Sequence, residues 1–381
     1  MSTAVRSYSK INLGLAIGPP RPDGFHSLHT LYQTLALHDF VTVSASFAPE
    51  TSIRLTSNDP RVPLDARNTA WKIVEKALTA LSLNAQVTVH ISKDLPIQGG
   101  MGAGSANAAA ALIGLERELS LAMPVELRLK LAADVGSDVP LFLIGGSVFG
   151  TDRGQSVFPA PPVTLAGLAE IPCVIALPPR GVSTPQAFRE WDRRFTQAGG
   201  GSDLDLHKLP VRDTIAVLSR TYASVLPHWK SNEKYGASGI FPDPSSAALA
   251  PPDSPENLHG RSREQHHTPS ETQGTSGVED DLAGNSLLAL VRTGIENDFE
   301  TVVFLQYPLL REIKRHLMGA PEAANRAVYA ALSGSGSALF GLYRCQADAS
   351  AAQQRLQQQG VQAIVTSTLP RPLYWSNMFA E

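Results

Sequence analysis

The chain has 381 residues, 43% of them apolar and 18% charged, with a formal net charge of −3. That length and composition suit a folded protein with a full core and favour two domains over one. The weak negative charge excludes a general attraction to nucleic acid or anionic lipid, though a local basic cleft for a phosphorylated ligand is compatible with it. No apolar stretch reaches the length of a membrane span, and residues 1–8 lack the apolar core of a secretory signal. The expectation is a cytoplasmic protein with no membrane and no nucleic-acid partner. Cys173 and Cys345 have neither metal-ligand spacing nor a disulfide framework, and both read as reduced core thiols.

The elements follow in chain order. Ile11, Leu13, Leu15 and Ile17 alternate with Asn12, Gly14 and Ala16, predicting a strand with one buried face. The run from Gly18 to Gly24 is rich in Gly and Pro and reads as a tight, exposed turn. Ala70, Ile73, Val74, Ala77, Leu78 and Leu81 recur at helical spacing, with Asn68 or Thr69 suited to cap the helix. Val87, Val89 and Ile91 give a strand, followed by a glycine-rich loop and a helix marked by Ala108, Leu112, Leu115 and Leu119. A short helix is predicted over 127–134, and the apolar run 141–144 reads as a buried strand entering a glycine turn.

The proline-rich stretch 158–165 is the candidate boundary between an N-terminal domain, 1–165, and a C-terminal domain, 166–381. Cys173 to Leu177 reads as the opening strand of the second. Around 199–280 the composition shifts to Ser, Pro, Gly, His and Glu, which bury too little to offset the entropy of ordering. A largely disordered surface insertion is expected there, with some helical pattern over 215–226. Its histidines, His259, His266 and His267, read as composition rather than as a metal site. Structure resumes near Leu282 with a helix marked by Leu287, Leu288, Val291 and Ile295. A second glycine turn at 333–337 then enters a strand, and a polar helix (351–359) and a strand (361–365) complete the domain.

The loop from Pro96 carries Gly99, Gly100, Gly102 and Gly104, then Ser105, immediately before a helix. Glycines permit sharp bends that converge backbone N–H groups, and the helix adds its unpaired donors and the positive end of its dipole. Ser105 could cap that helix or donate to a phosphate oxygen. The loop is no Walker A motif, since no Gly-Lys-Ser/Thr follows. It is a poor dinucleotide fingerprint too, because no acidic residue ends a strand about twenty residues on. A simple tight turn stays open as the alternative. Phosphoryl transfer to an alcohol also needs a group to orient the hydroxyl or accept its proton. Asp138, at a loop-to-strand junction between apolar groups, is a candidate, and Lys10 could pair with it and hold it ionised. Spacing alone leaves open that these are a turn former and a solvated edge residue.

Taken together, the motifs resemble the GHMP kinase superfamily. The segment from Tyr8 to Leu15, the run Arg21-Pro-Asp-Gly-Phe-His26, the glycine loop ending Gly104-Ser-Ala-Asn107, and Gly136-Ser-Asp138-Val-Pro140 carry the resemblance. Pro179 to Pro185, Asn297-Asp-Phe-Glu300 and Ser333 to Ser337 extend it over nearly the whole chain outside 199–280. The resemblance implies an α+β, two-domain GHMP kinase fold. Its N-terminal domain would be ribosomal-protein-S5-domain-2-like and its C-terminal domain a ferredoxin-like α/β sandwich.

It further implies ATP with Mg2+, and a small cytidine-diphosphate-linked alcohol as substrate in isoprenoid precursor synthesis. Asp138 is the implied base, also touching substrate, and Lys10 the residue that positions the hydroxyl and assists its ionisation. Asn68, Pro96, Gly99, Gly100, Gly102, Ala103, Gly104, Ser105 and Ala106 are the implied ATP contacts. Asn12, Phe25 and His26 are the implied substrate contacts, Phe25 by stacking and His26 by hydrogen bonding to the base. Against the family pattern, Phe25 is more often tyrosine, Gln98 and Ala103 stand at usual glycines, and Ala106 replaces a usual serine. A monomer or weak homodimer is expected. The alternatives are a sister kinase for another alcohol, such as homoserine or a mevalonate-type alcohol, or a non-catalytic nucleotide-binding scaffold.

Overall fold

The computed structural model describes residues 2–96, 99–198 and 284–380. The expected insertion, its helical pattern and its three histidines lie outside the described residues, as does Gln98. Among the described residues no helix is long and apolar enough to cross a membrane.

The first sheet contains β1 (Thr3–Pro20), β2 (His26–Phe47), β3 (Ser52–Ser57), β4 (Ala85–Ser92), β5 (Ser147–Thr151) and β6 (Ser156–Pro159). The second contains β7 (Pro172–Leu177), β8 (Tyr329–Leu332), β9 (Leu339–Leu342) and β10 (Gln362–Ser367). A short terminal strand, β11 (Phe379–Ala380), returns to pair with β1 of the first sheet. The orders are β11-β1-β2-β4-β3, with the β5–β6 hairpin attached to β2, and β10-β7-β9-β8. Counted along the chain, the second sheet's strands lie in the spatial order 4-1-3-2, all antiparallel, which is the ferredoxin-like arrangement.

Nine α-helices are described. They are α1 (Thr69–Ala80), α2 (Ala103–Glu118), α3 (Val125–Val135), α4 (Thr184–Ala198), α5 (Ser286–Arg292), α6 (Glu300–Gln306), α7 (Pro308–Met318), α8 (Gln346–Gln358) and α9 (Arg371–Ser376). Three apolar clusters stack them. Helices α1 to α3 pack on the first sheet, the two sheets pack on each other, and α4 and α6 to α8 cover the outer face of the second. The middle cluster joins Ile11, Leu13, Leu31 and Leu35 to Cys173, Ile175, Phe340 and Leu342.

That stacking corrects the reading of β1 as a strand with one buried face. Residues 7–18 are all buried, because the strand lies between the outer core and the core shared by the sheets. Register shifts along its ladder with β2 interrupt the simple alternation. The run 141–144 is not a strand either. Pro140–Leu143 form a 3-10 turn, with proline's fixed φ at its start and Gly145 and Gly146 at φ +71° just after it. A four-residue apolar run reports burial, and burial on every side looks alike for strand and helix. Asp138 accordingly lies within the turn 137–139 before a 3-10 segment. Cys173 is buried as expected, but Cys345 is exposed, at the residue just before α8.

The chain's end holds the Asp138 segment in place. From α9, Tyr374 donates to the Phe142 carbonyl at 2.6 Å, Trp375 Nε1 to that of Ile144 at 2.9 Å, and Arg371 Nε to that of Gly145 at 3.0 Å. A Cβ on Gly145 would lie 2.3 Å from the Tyr374 ring, so only glycine lets the two segments meet.

Asn297-Asp-Phe-Glu300 serves the fold in the same manner. Asp298 accepts from the Ile17 N–H at 2.8 Å, tying the start of α6 to β1. Burial, aided by nearby Glu296, pushes the Asp298 carboxyl up to about 6. The folded state therefore binds this proton more tightly than the unfolded chain does. The contribution is full below about pH 4 and is lost as pH rises through about 6. Urea melts of Asp298→Asn against the parent should show the variant gaining about 1 kcal/mol relative to the parent between pH 5 and pH 7.5. A difference independent of pH would contradict the raised carboxyl.

Candidate active site

The glycine loop lies between β1 and the second glycine turn. Lys10 N–H donates to the Met101 carbonyl at 3.1 Å, Ala338 N–H to that of Gly99 at 3.1 Å, and Ser333 Oγ to that of Gly100 at 2.9 Å. A Cβ on Gly100 would sit 2.0 Å from the Ser333 carbonyl oxygen, and one on Gly102 would be 2.9 Å from Phe142 and 3.2 Å from the Lys10 stem. Both glycines have positive φ, +77° and +70°. The turn facing them is held in turn by Asn297, whose amide donates to the carbonyls of Leu332 and Gly334, each at 2.8 Å.

Gly102 is the N-cap of α2 in the left-handed conformation, with no side-chain capping bond. The expectation that Ser105 caps the helix is corrected: the helix begins at Ala103, so Ser105 lies within its first turn. As at any helix start, the first-turn N–H groups have no partner within the helix, and together with the positive helix end they suit an anion. The loop and helix start border a cavity of about 400 Å³, lined also by Asn68, Thr69, Lys93, Pro96, Arg61 and Arg67.

The predicted ATP contacts fall into two groups. Pro96, Gly99, Gly100, Gly102, Ala103, Gly104 and Ser105 line the cavity. Asn68 lines it as well, but its amide is occupied, accepting from Ala70 N–H at 2.8 Å and donating to the Pro63 carbonyl at 2.8 Å. Ala106 is buried in the core under the loop, its N–H bonded to the Gly102 carbonyl at 2.8 Å.

Sequence reasoning missed a buried support beneath the loop. Asp39 on β2, fully buried, pairs with Lys93 at 2.7 Å and accepts from the N–H groups of Asp94 and Leu95 at 2.8 and 2.7 Å. Asn107 of α2 satisfies its neighbours with its amide nitrogen towards Asp39 Oδ2, 3.1 Å away. One carboxylate thus fastens both ends of the glycine loop.

Lys10 is 3.4 Å from Asp138 Oδ2 and almost wholly buried, whereas the Asp138 side chain is 32% exposed. The ammonium is aimed by Asn12, whose Oδ1 accepts from Nζ at 2.7 Å. The Asn12 amide donates to Thr30 Oγ1 at 2.7 Å, and Thr30 donates to the Gly14 carbonyl at 2.8 Å. The other Asp138 oxygen meets Tyr32, whose hydroxyl lies 3.1 Å from Oδ1. Neither Tyr32 nor Thr30 stood out in the sequence, where they are two residues of a long strand.

Phe25 and His26 lie where β2 begins. Phe25 is 53% exposed, with the Arg153 guanidinium 4.8 Å above its ring. His26 is buried, its Nε2 2.7 Å from Asp192 Oδ1, and it stacks on Phe188 with ring centres 5.0 Å apart. Phe188 and Asp192 belong to α4 and were not singled out, since they are 163 and 167 residues further along the chain than Phe25. The β5–β6 turn spans the two ends of the site, with Arg153 on Phe25 and the Gly154 carbonyl 3.5 Å from the Tyr32 hydroxyl. Among the described residues no group of three or more His, Cys, Asp or Glu is arranged to hold a metal ion.

An open helix start behind a glycine loop, beside a lysine–aspartate pair, defines a kinase acting on small molecules. The comparisons agree. Residues 68–146 match the model of the GHMP kinases N terminal domain and residues 283–362 that of the GHMP kinases C terminal region. The chain is 35% identical over 256 residues to a 4-diphosphocytidyl-2-C-methyl-D-erythritol kinase of Streptomyces coelicolor, covering 66% of this chain and 81% of that one. A crystal structure of 4-(cytidine 5'-diphospho)-2C-methyl-D-erythritol kinase superposes with a TM-score of 0.57 at 21% identity, covering 96% of this chain and 98% of that one. A homoserine kinase from Cytophaga hutchinsonii gives 0.60 at 16% identity over 97% and 95%. These two likenesses bear on the fold alone. The chain is an ATP-dependent small-molecule kinase of the GHMP superfamily. Within it, the chain belongs to the 4-diphosphocytidyl-2-C-methyl-D-erythritol kinase family.

Gly100→Ala tests the loop's seat. With no room for a Cβ, the loop must move, and kcat/KM for ATP should fall on the order of 10²-fold. Unchanged ATP kinetics would show that this contact does not set the loop.

Proposed function

We propose that the protein transfers the γ-phosphoryl group of ATP to the 2-hydroxyl of 4-diphosphocytidyl-2-C-methyl-D-erythritol, a step in isoprenoid precursor synthesis. The observation that carries the reading is the Lys10–Asp138 pair, 3.4 Å apart and beside the glycine loop. Asp138 accepts the hydroxyl proton, and Lys10 stabilises the negative charge that develops on the alcohol oxygen. That oxygen bonds to the γ-phosphorus as the bond to the bridging oxygen breaks, and the electron pair leaves with ADP.

N–H groups of the glycine loop and the first turn of α2 hold the phosphates. Two features support this: Gly99, Gly100, Gly102 and Gly104 carry no side chain to fill the cradle, and no side-chain hydrogen bond caps the helix. Mg2+ neutralises phosphate charge when bound with ATP. Among the described residues no cluster of carboxylates is arranged to hold a metal ion, which fits one held chiefly by the nucleotide; Ser105 lines the cavity at the start of α2, and Asp138 lies against Lys10. We assign the N-terminal domain to 1–165 and the C-terminal domain to 166–381, with the terminal α9 and β11 crossing back to the first sheet.

The choice of alcohol rests on the relatives' printed activity and on the aromatic end of the site. An exposed Phe25 suits a stacked pyrimidine, and His26, fixed by Asp192, supplies a ring nitrogen for its edge. The fold cannot choose among alcohols, since a homoserine kinase shares it. An ADP-release assay across this substrate, homoserine and mevalonate decides: turnover confined to the cytidine-linked alcohol is expected, and turnover confined to either other alcohol would reject the reading. Asp138→Asn should lower kcat by about 10²- to 10⁴-fold while ATP affinity by calorimetry stays within about threefold. Near-parental kcat would remove Asp138 from the role of base.

A further inference from the structure

Tyr32 lies on β2 with its phenol in contact with the proposed base, and the sequence pattern explains it no further than as a core aromatic. It is 3% exposed. Its hydroxyl is 3.1 Å from Asp138 Oδ1, while Lys10 is 3.4 Å from Oδ2, so the carboxylate is held at both oxygens by two different groups. The Lys10 ammonium also lies 5.5 Å from the centre of the Tyr32 ring. The ring therefore touches both members of the pair.

The space for the phenol is made by missing side chains. A Cβ on Gly150 would come within 2.6 Å of the ring, and one on Gly154 within 2.6 Å of the hydroxyl oxygen. Both glycines belong to the β5–β6 hairpin, and the Gly154 carbonyl, 3.5 Å from the hydroxyl, is the other acceptor near it. A phenylalanine would fill the ring's seat equally well. The hydroxyl is thus the part of the residue that packing does not require. Burial, and then the Asp138 charge, keep the phenol well above its ordinary ionisation range, so it meets the carboxylate as a donor.

We propose that Tyr32 is a positioning residue for phosphoryl transfer: its hydroxyl binds Oδ1 of Asp138 and leaves Oδ2, the oxygen facing Lys10, to take the proton from the alcohol. This rests on Asp138 being the base. The proton passes from the alcohol oxygen to Oδ2 as the new O–P bond forms and the bridging O–P bond of ATP breaks. It then leaves to solvent through the exposed side of Asp138. Without the phenol the carboxylate can rotate, and the fraction of bound complexes with Oδ2 aligned falls.

The test is a mutant cycle on the full chain, with Tyr32→Phe made in the parent and in Asp138→Asn, both followed by kcat, by KM for each substrate and by thermal melting. Tyr32→Phe should lower kcat about tenfold, as for a lost hydrogen bond to a charged group, with each KM within about twofold and melting nearly unchanged. In the Asp138→Asn background the same change should have little further effect, because the two act through one carboxylate. An equal loss in both backgrounds, or a parent kcat unchanged by Tyr32→Phe, would overturn the proposal. A near-parental kcat for Asp138→Asn alone overturns the assigned base and this proposal with it. Loss from Tyr32→Phe with Asp138→Asn strongly impaired but additive overturns only the positioning role.

Discussion

The closest approach in the site is backbone against backbone, where Gly100 lies so near the Ser333 carbonyl that a single carbon atom would not fit. Much of the molecule serves that contact. Asn297 braces the turn carrying Ser333, and Glu300 accepts from Leu332 N–H at 2.8 Å beside it. Asp39 secures the chain on either side of the glycine loop. Lys10 is tied to the loop through its own N–H and so shares the loop's frame of reference. A loop of glycines would be floppy in isolation. Here its freedom is removed by neighbours drawn from both sheets, which fixes its backbone in one shape.

The division of labour between chain segments follows from this. The late motifs Asn297 to Glu300 and Ser333 to Ser337 look chemical in sequence, since they hold carboxylates, amides and hydroxyls. In the structure Asp298, Asn297 and Ser333 bond backbone groups of β1, the second glycine turn and the glycine loop, while Glu300 pairs with Lys314 and Ser335 with Thr184. They are structural supports. On the proposed function the chemistry is concentrated on β1, on the turn after α3 and at the start of α2. Helix α9 then closes over the segment following Asp138 from the far end of the sequence.

Parts of the candidate site are legible in the sequence. The glycine loop is legible as a tight turn because close backbone approach needs absent side chains, and a cluster of glycines before a helix is visible to the eye. Amphipathic α1 is legible with Asn68 or Thr69 as its cap, and the structure makes it Asn68. Lys10 and Asp138 can be offered as a pair from the sequence but not fixed by spacing, because they lie 128 positions apart and no local pattern links a strand lysine to a turn aspartate. Tyr32, Asp39, Phe188 and Asp192 escaped notice for the same cause: each acts through a partner brought near by sheet register or by the packing of α4. The run 141–144 and the two-sided burial of β1 were misjudged because apolar content reports how much is buried and says nothing about which shape does the burying.

On the proposed function, the glycine loop and the Lys10–Asp138 pair are two walls of one phosphoryl-transfer site. This is tested most directly by a crystal structure with a non-hydrolysable ATP analogue and the cytidine-linked alcohol bound together. The account predicts phosphate oxygens on the N–H groups of the loop and of the first turn of α2, with the alcohol's 2-hydroxyl within hydrogen-bond reach of both Asp138 and Lys10. A triphosphate seated away from the loop, or a hydroxyl that meets neither side chain, would contradict it.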